Sequence, residues 1–383
     1  MIRKTVIITE IIAPYRIPVF NTLARCTGVD LHVIFLAETD RTLRQWRIYT
    51  DEILFSHEVL PSWRWRAWIH NFLVNRRLWS ALNAANPQTI LCGGYNYLAY
   101  WEALWWARWR NVRFVLWTES NQHDKRSGLA GVEWLKRYFV RSCNAFVVPG
   151  KSSFDYLRTL GASDHAIFTA PNAVDGAFFA TQAEEVKRQP AAFRERFGLP
   201  RRFILFVGRL VREKGVFDLI QAYAKLGSDL RSEVGLVFAG DGASKEALAE
   251  QAKQIEPGVI CFPGFVQRED LAGLYGLAEA LTLPTHSDPW GLVVNEAMAC
   301  GLPIVVTNVA GCASDLVVEG WNGCVVPPAD PSRLSAAIRS LLSQPEMTRQ
   351  MRARSLERIQ AYSPQRCADG LAAAAFAPGA ESR

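Results

Sequence analysis

The sequence predicts an α/β protein made of two doubly wound, Rossmann-like domains. Short apolar runs rich in β-branched and aromatic residues recur along the chain. Helical patterns with apolar residues at i, i+3, i+4 and i+7 separate most of them. The alternation then begins afresh after a turn-rich, charged break. Alternating strand and helix implies a parallel sheet covered on both faces, because parallel strands need crossover connections. A chain of 383 residues has room for two such domains.

The first domain is assigned to 1–178. Its strands are "KTVIITE" (4–10), "LHVIF" (31–35), "QTILC" (88–92), "RFVLWT" (113–118), "NAFVVP" (144–149) and "AIFTA" (166–170). The opening "MIRKTVIITEIIAPYR" is read as a first strand and not as a signal peptide, since Glu10 interrupts it and no small-residue cleavage site follows. "KSSFDYLRTLG" (151–161) is a helix closed by a glycine. "PNAVDGAFF" (171–179) breaks the pattern, and the polar stretch 179–200 reads as a linker. The second domain, 201–360, carries strands "FILFVG" (203–208), "VGLVFAG" (234–240), "VICFPG" (259–264), "ALTLPT" (280–285), "PIVVT" (303–307) and "GCVVP" (323–327). The remaining 361–383 forms a tail expected to return toward the first domain.

Composition narrows the class. Hydrophobic residues at 49% and charged residues at 21% describe a globular chain and exclude a disordered one. No apolar run reaches the ~18 residues of a membrane span. The eight cysteines form no CxxC pair and no cluster with histidine, so they read as free thiols in a reducing cytoplasm with no metal site. Residues 1–178 hold 21 Lys/Arg against 14 Asp/Glu, a charge of +7, while the remainder is at −1. Eleven of the 13 tryptophans also fall in that first part. The two halves therefore face different partners.

Open α/β sheets bind ligands at the carboxyl ends of their strands, so the strand-to-helix loops are where chemistry is sought. In "VGRLVREKG" (207–215), Arg209 and Lys214 place two cations between a strand end and a helix start, suited to a diphosphate. The alternative is solvated surface charge. In "AGDGA" (239–243), Gly240 and Gly242 make a tight turn through which backbone approaches a ligand, or simply a turn. "SDPWGLVVNEAMACGLPIVVT" (287–307) sets Asp288 eight residues before Glu296, around a helix start whose N–H groups at Gly291, Leu292 and Val293 favour an anion. Two acids beside an anion site make sense if they grip neutral hydroxyls, as sugars and ribose supply; the alternative is a helix-capping acid.

Taken together and in this order, the motifs resemble retaining glycosyltransferases of family 4, which have the GT-B fold: two Rossmann-like domains facing across a cleft. The family's acid-x7-acid motif is carried here by "DPWGLVVNEAMACGLPIV". The resemblance extends through "GRLVREKG", "AGDGA", "FPGFV…LAGLYGLAEALTLPT", "DLVVEGWNGCVVPPAD" and, more loosely, "PNAVD". It covers the second half well; in the first half "PYRIPVFNTL" (14–23) is similar to the opening of a polysaccharide-assembly subgroup.

The resemblance implies a sugar transferred from a UDP- or GDP-sugar, as substrate and with no cofactor or metal, to a lipid-linked or growing glycan. Arg209 and Lys214 would hold the diphosphate, Glu296 the ribose hydroxyls, and Asp288 would face the transferred sugar. The loop at Phe265–Val266 would border the base, and Glu119 stands near a position where members often carry a histidine. The family's first acid is usually glutamate, and many members carry a Gly-rich loop after the first strand; this chain has Asp288 and "EIIAPYRIP". Trp and Arg interleave in 61–79 and 101–110, which suits an anionic membrane surface at the cytoplasmic leaflet and, with these motifs, does not indicate nucleic acid. Two rivals stay open: a GT-B-like binding subunit without activity, and a nucleotide-sugar epimerase.

Overall fold

The computed structural model describes residues 2–40, 45–67, 70–123, 130–256 and 258–377. The chain divides into two compact units, one of 1–174 with 363–383 and one of 175–362.

The first unit is built on a seven-stranded sheet with strands β1 (Arg3–Thr9), β2 (Val29–Phe35), β3 (Ser56–Val59), β6 (Thr89–Cys92), β7 (Arg113–Trp117), β8 (Ala145–Val148) and β9 (Ile167–Thr169). Their order is β3-β2-β1-β6-β7-β8-β9, and every pair is parallel. The period-2 pleat sends alternate residues to opposite faces. Val6, Ile8, Ile90, Phe114 and Leu116 enter one core, while Ile7, Val33, Leu91, Val115 and Val147 enter the other. Helix Leu98–Trp109 covers the first face, and helices Ile17–Ala24 and Pro364–Phe376 cover the second. The tail thus supplies a helix of the first unit: Cys367, Ala368 and Leu371 are buried in its core.

A two-stranded antiparallel hairpin, β4 (Ser62–Ala67) with β5 (His70–Asn75), lies outside the sheet. The sequence reading identified neither it nor β3: the Trp/Arg alternation of β4 reads as a surface feature, and β3, "SHEV", has a single apolar residue. Residues 68–69, within the Trp/Arg stretch 61–79, lie outside the described residues, as do the side chains of 65–71.

The second unit has a six-stranded, all-parallel sheet of β10 (Phe203–Val207), β11 (Gly235–Ala239), β12 (Ile260–Gly264), β13 (Ala280–Leu283), β14 (Ile304–Thr307) and β15 (Gly323–Val326). The order is β12-β11-β10-β13-β14-β15. All six strands read from the sequence are present. The stretch read as a linker, 179–200, is a correction: it forms helices Gly176–Arg188 and Pro190–Phe197, part of the second unit. Asp175 caps the first by accepting from the Phe178 N–H at 3.0 Å. Phe179 and Ala183, four residues apart, bury one face, with Phe179 edge-on to Tyr275 at 6.1 Å. The charged outer face made this helix look like a linker.

All eight cysteines are free. Among the described residues, no helix is long and apolar enough to cross a membrane.

Candidate active site

Strand order in the second unit reverses between β10 and β13, and ligands of open α/β sheets bind at such a switch point. The two loops leaving these strands carry Arg209, Lys214 and Asp288. After β10 the chain forms a short 3-10 turn, Arg212–Lys214. Its Glu213 carbonyl accepts from the His286 N–H at 2.8 Å and from Thr285 Oγ1 at 3.2 Å. Gly215 closes the turn with φ +68°, and a Cβ there would lie 1.8 Å from the Pro284 carbonyl oxygen. The loops are therefore stitched together through backbone, and only glycine fits the seam.

This stitching puts Lys214 on Asp288. Nζ is 2.6 Å from Oδ2, with the side chains 14% and 15% exposed. Nζ also reaches the Ser287 carbonyl at 3.4 Å. Asp288 is held on its own side as well: Oδ1 accepts from the Trp290 N–H at 3.3 Å, and its carbonyl accepts from the Gly311 N–H at 3.0 Å. Arg209 is exposed, and its side chain makes no ion pair among the described residues. His286 Nε2 lies 2.5 Å from Asp218 Oδ2 on the following helix, Val216–Ala224.

Glu296 sits in the first turn of helix Val293–Ala299. Tyr275, fully buried in helix Arg268–Leu277, donates its hydroxyl to Glu296 Oε2 at 2.7 Å. Burial pushes the Glu296 carboxyl up to about 7, against the pull of the Tyr275 hydrogen bond. Burial also raises the Tyr275 phenol well above its ordinary range. Trp290 Nε1 donates to Asn295 Oδ1 at 2.8 Å, which pins the helix start. The N–H groups of Gly291, Leu292 and Val293 have no backbone acceptor among the described residues. The sequence reading missed Tyr275; a tyrosine on an apolar helical stripe, needing a partner for its hydroxyl, is the signal that marks it.

The Gly-Asp-Gly turn brings backbone close to backbone. A Cβ on Gly240, at φ +145°, would lie 1.9 Å from the Gly208 carbonyl oxygen, and one on Gly242 would lie 2.5 Å from that of Leu210. The close neighbour is the β10 loop, further tied by Leu210 N–H to the Asp241 carbonyl at 2.8 Å. Val266 is buried beside a half-exposed Phe265.

In the first unit the strand order reverses between β1 and β6. There Glu10, just past β1, accepts from Tyr97 Oη at 2.6 Å and from Arg64 of the hairpin at 3.0 Å; Arg64 also pairs with Asp40. These residues were not singled out from sequence, though a glutamate ending the first apolar strand points to them. Glu119, after β7, pairs with Arg16 at 3.2 Å, and Arg16 lies 4.1 Å over the Trp117 ring. Stretch 101–110 lies mostly in helix Leu98–Trp109: Trp106 is fully buried and donates to Asn83 at 3.0 Å, while Trp105 and Trp109 are exposed.

With this geometry in hand, the fold is that of the GT-B glycosyltransferases. The chain superimposes on Anabaena Alr3699/HepE in complex with UDP with a TM-score of 0.74 at 16% identity, covering 96% of this chain and 98% of that one. It is likewise similar to sucrose-phosphate synthase from Thermosynechococcus elongatus, at a TM-score of 0.72 and 18% identity, over 96% and 97%. Residues 188–358 match the family model described as glycosyl transferases group 1, a stretch that includes both loops of the β10/β13 edge. Among curated proteins the chain is 30% identical to a glycogen synthase of Mycobacterium tuberculosis over 271 residues, 68% of this chain and 62% of that protein. It is 34% identical to a D-inositol 3-phosphate glycosyltransferase of Xylanimonas cellulosilytica over 198 residues, 49% and 46%. The chain spans less than two thirds of the length of these relatives.

Proposed function

We propose that this chain is a glycosyltransferase that moves a sugar from a nucleoside-diphosphate sugar, UDP- or GDP-linked, to a hydroxyl of a lipid-linked or growing glycan, with retention. The observation that carries the reading is the edge at β10 and β13, where Arg209, Lys214 and Glu296 stand within the matched stretch 188–358. In the reaction the bond from the anomeric carbon to phosphate oxygen breaks, the nucleoside diphosphate leaves with the electron pair, and the acceptor oxygen bonds to that carbon as it gives up its proton. Arg209, Lys214 and the N–H groups of Gly291–Val293 meet the charge growing on the leaving diphosphate, and the N–H groups, held by the helix start, do so without reorganising. That is a route for phosphate charge that needs no metal. Glu296, steadied by Tyr275, accepts from the ribose hydroxyls, and Val266 with Phe265 borders the base. Gly240 and Gly242 hold the Arg209 loop in position through backbone packing. On the acceptor side the reading uses Glu119 and the Glu10–Tyr97–Arg64 group at the first unit's switch point.

The reading places the protein at the cytoplasmic face of a membrane. Trp63, Trp79, Trp105, Trp109 and Trp134 of the first unit are exposed, and Trp79 stacks on Trp109 at 6.2 Å between centroids. Aromatic surface beside the exposed Arg76, Arg77, Arg108 and Arg110 suits an anionic lipid interface.

The test is thermal unfolding with UDP-, GDP-, ADP- and dTDP-sugars, wild type against Glu296→Ala and Lys214→Ala. A ligand that binds the native state raises the melting temperature. A shift with one nucleotide that both variants lose supports the reading and selects the donor for a transfer assay. No shift with any donor contradicts it and favours a non-catalytic binding subunit.

A further inference from the structure

We propose that Asp288 is the counter-ion of Lys214, against which the donor diphosphate competes, and that it is not an acid that grips the transferred sugar. This rests on the donor-site reading above and reassigns the first acid of the pair. The family resemblance would turn Asp288 toward the sugar. The geometry turns it elsewhere: Oδ2 lies 2.6 Å from Lys214 Nζ, and Oδ1 accepts from the Trp290 N–H at 3.3 Å.

Each partner's backbone is held by contacts other than the pair itself. The Asp288 backbone is tied to the Gly311 N–H at 3.0 Å, and the 3-10 turn bearing Lys214 is tied to His286 and Thr285 through the Glu213 carbonyl. Aspartate is one methylene shorter than the family's usual glutamate, and from this anchored backbone its carboxylate ends at Nζ. Of the two cations assigned to the diphosphate, Lys214 is thus paired within the protein, and Arg209 is exposed.

A phosphate oxygen that hydrogen-bonds Nζ must come to within roughly 5 Å of the Asp288 carboxylate, where like charges repel in a partly desolvated site. Asp288 therefore orients Lys214 while weakening the hold on diphosphate. It is a positioning residue whose charge favours release of the nucleoside diphosphate after transfer.

Calorimetric titration of the full chain with UDP, GDP, ADP and dTDP tests this, in wild type, Asp288→Asn and Asp288→Glu. Asp288→Asn removes the charge and keeps the shape; it should bind the accepted nucleoside diphosphate at least about fivefold tighter, roughly 1 kcal/mol. Asp288→Glu keeps the charge but carries it one methylene past Nζ, so its affinity for the nucleoside diphosphate should fall between those of wild type and Asp288→Asn. Asp288→Ser, also uncharged, carries the same expectation as the asparagine variant and replaces it if that variant does not fold. Mere damage to the loop would weaken binding, so a gain is the specific signature. In transfer assays the tighter product should lower kcat and the donor KM together. If wild type binds one nucleotide and the uncharged variants bind it no better, losing affinity only for the nucleotide sugar, Asp288 grips the sugar and the counter-ion role is overturned. If wild type binds none of the four, the donor-site reading falls, and this inference with it.

Discussion

Glu296→Gln separates the electrostatics of the candidate site from its packing. Burial raises the Glu296 carboxyl from 4.5 to about 7. Between those values the native protein still holds a proton that the unfolded chain has lost. Its protonated form stabilises the fold fully below pH 4.5, and that contribution is lost as pH rises through about 7. A shift of this size corresponds to at most roughly 3 to 4 kcal/mol. Partial exposure of the carboxyl reduces the figure, so about 1–3 kcal/mol is expected. Glutamine cannot ionise, yet it still accepts from the Tyr275 hydroxyl with its amide oxygen. Urea unfolding of wild type and Glu296→Gln should therefore give similar stabilities near pH 4.5, with the variant the more stable by about 1–3 kcal/mol at pH 8. Comparing the difference between the two pH values cancels any constant packing effect of the amide. A difference flat to within about 0.5 kcal/mol across that range would mean the carboxyl titrates as an exposed glutamate, and the burial argument would be wrong.

Nucleotide binding should follow the same group. The carboxylate accepts from ribose hydroxyls, so wild-type affinity for the accepted nucleoside diphosphate should rise more steeply as pH increases through about 7 than that of Glu296→Gln, whose profile carries only the titration of the ligand's own terminal phosphate; parallel profiles in calorimetry would remove Glu296 from the ribose site. Lys214→Ala and Arg209→Ala should each weaken that nucleotide by about tenfold or more, since each removes a charge-assisted phosphate contact. Unchanged affinity in the Arg209 variant would return that residue to ordinary surface charge. Gly215→Ala should cost at least about 2 kcal/mol, because its Cβ meets the Pro284 carbonyl at 1.8 Å and its φ is +68°. Gly227→Ala, which meets nothing within 4 Å, should change urea stability by less than about 0.5 kcal/mol. Co-sedimentation with vesicles containing phosphatidylserine should fall when Arg76, Arg77, Trp105 and Trp109 are replaced by Glu, Glu, Ser and Ser. Arg64 is left intact because it holds Glu10 and Asp40 inside the fold. Full binding by the fourfold variant would refute the membrane face.

The period of the pattern and the identity of loop residues sufficed for much of this protein. Two alternating series of apolar strands and amphipathic helices determine two parallel sheets. Loops at strand ends, and the helix start that follows one of them, mark where Arg209, Lys214, Asp288 and Glu296 lie along the chain. Such features are local, since a strand or helix declares itself within a few residues. What only the tertiary structure decided depends on residues distant in sequence. The sequence leads to the expectation that 361–383 returns toward the first domain; that Cys367, Ala368 and Leu371 of helix Pro364–Phe376 are the residues entering its core came from the fold. Residues 176–188 are helical because Phe179 meets Tyr275, a neighbour no local window contains. The tight Gly-Asp-Gly turn is the same in sequence whether it approaches a ligand or the Gly208 carbonyl; only the fold shows the second. The Lys214–Asp288 pair joins side chains 74 positions apart, brought to 2.6 Å by two loops of one sheet edge. Charge and spacing supplied the two groups; their contact, and so the direction in which Asp288 acts, came from packing.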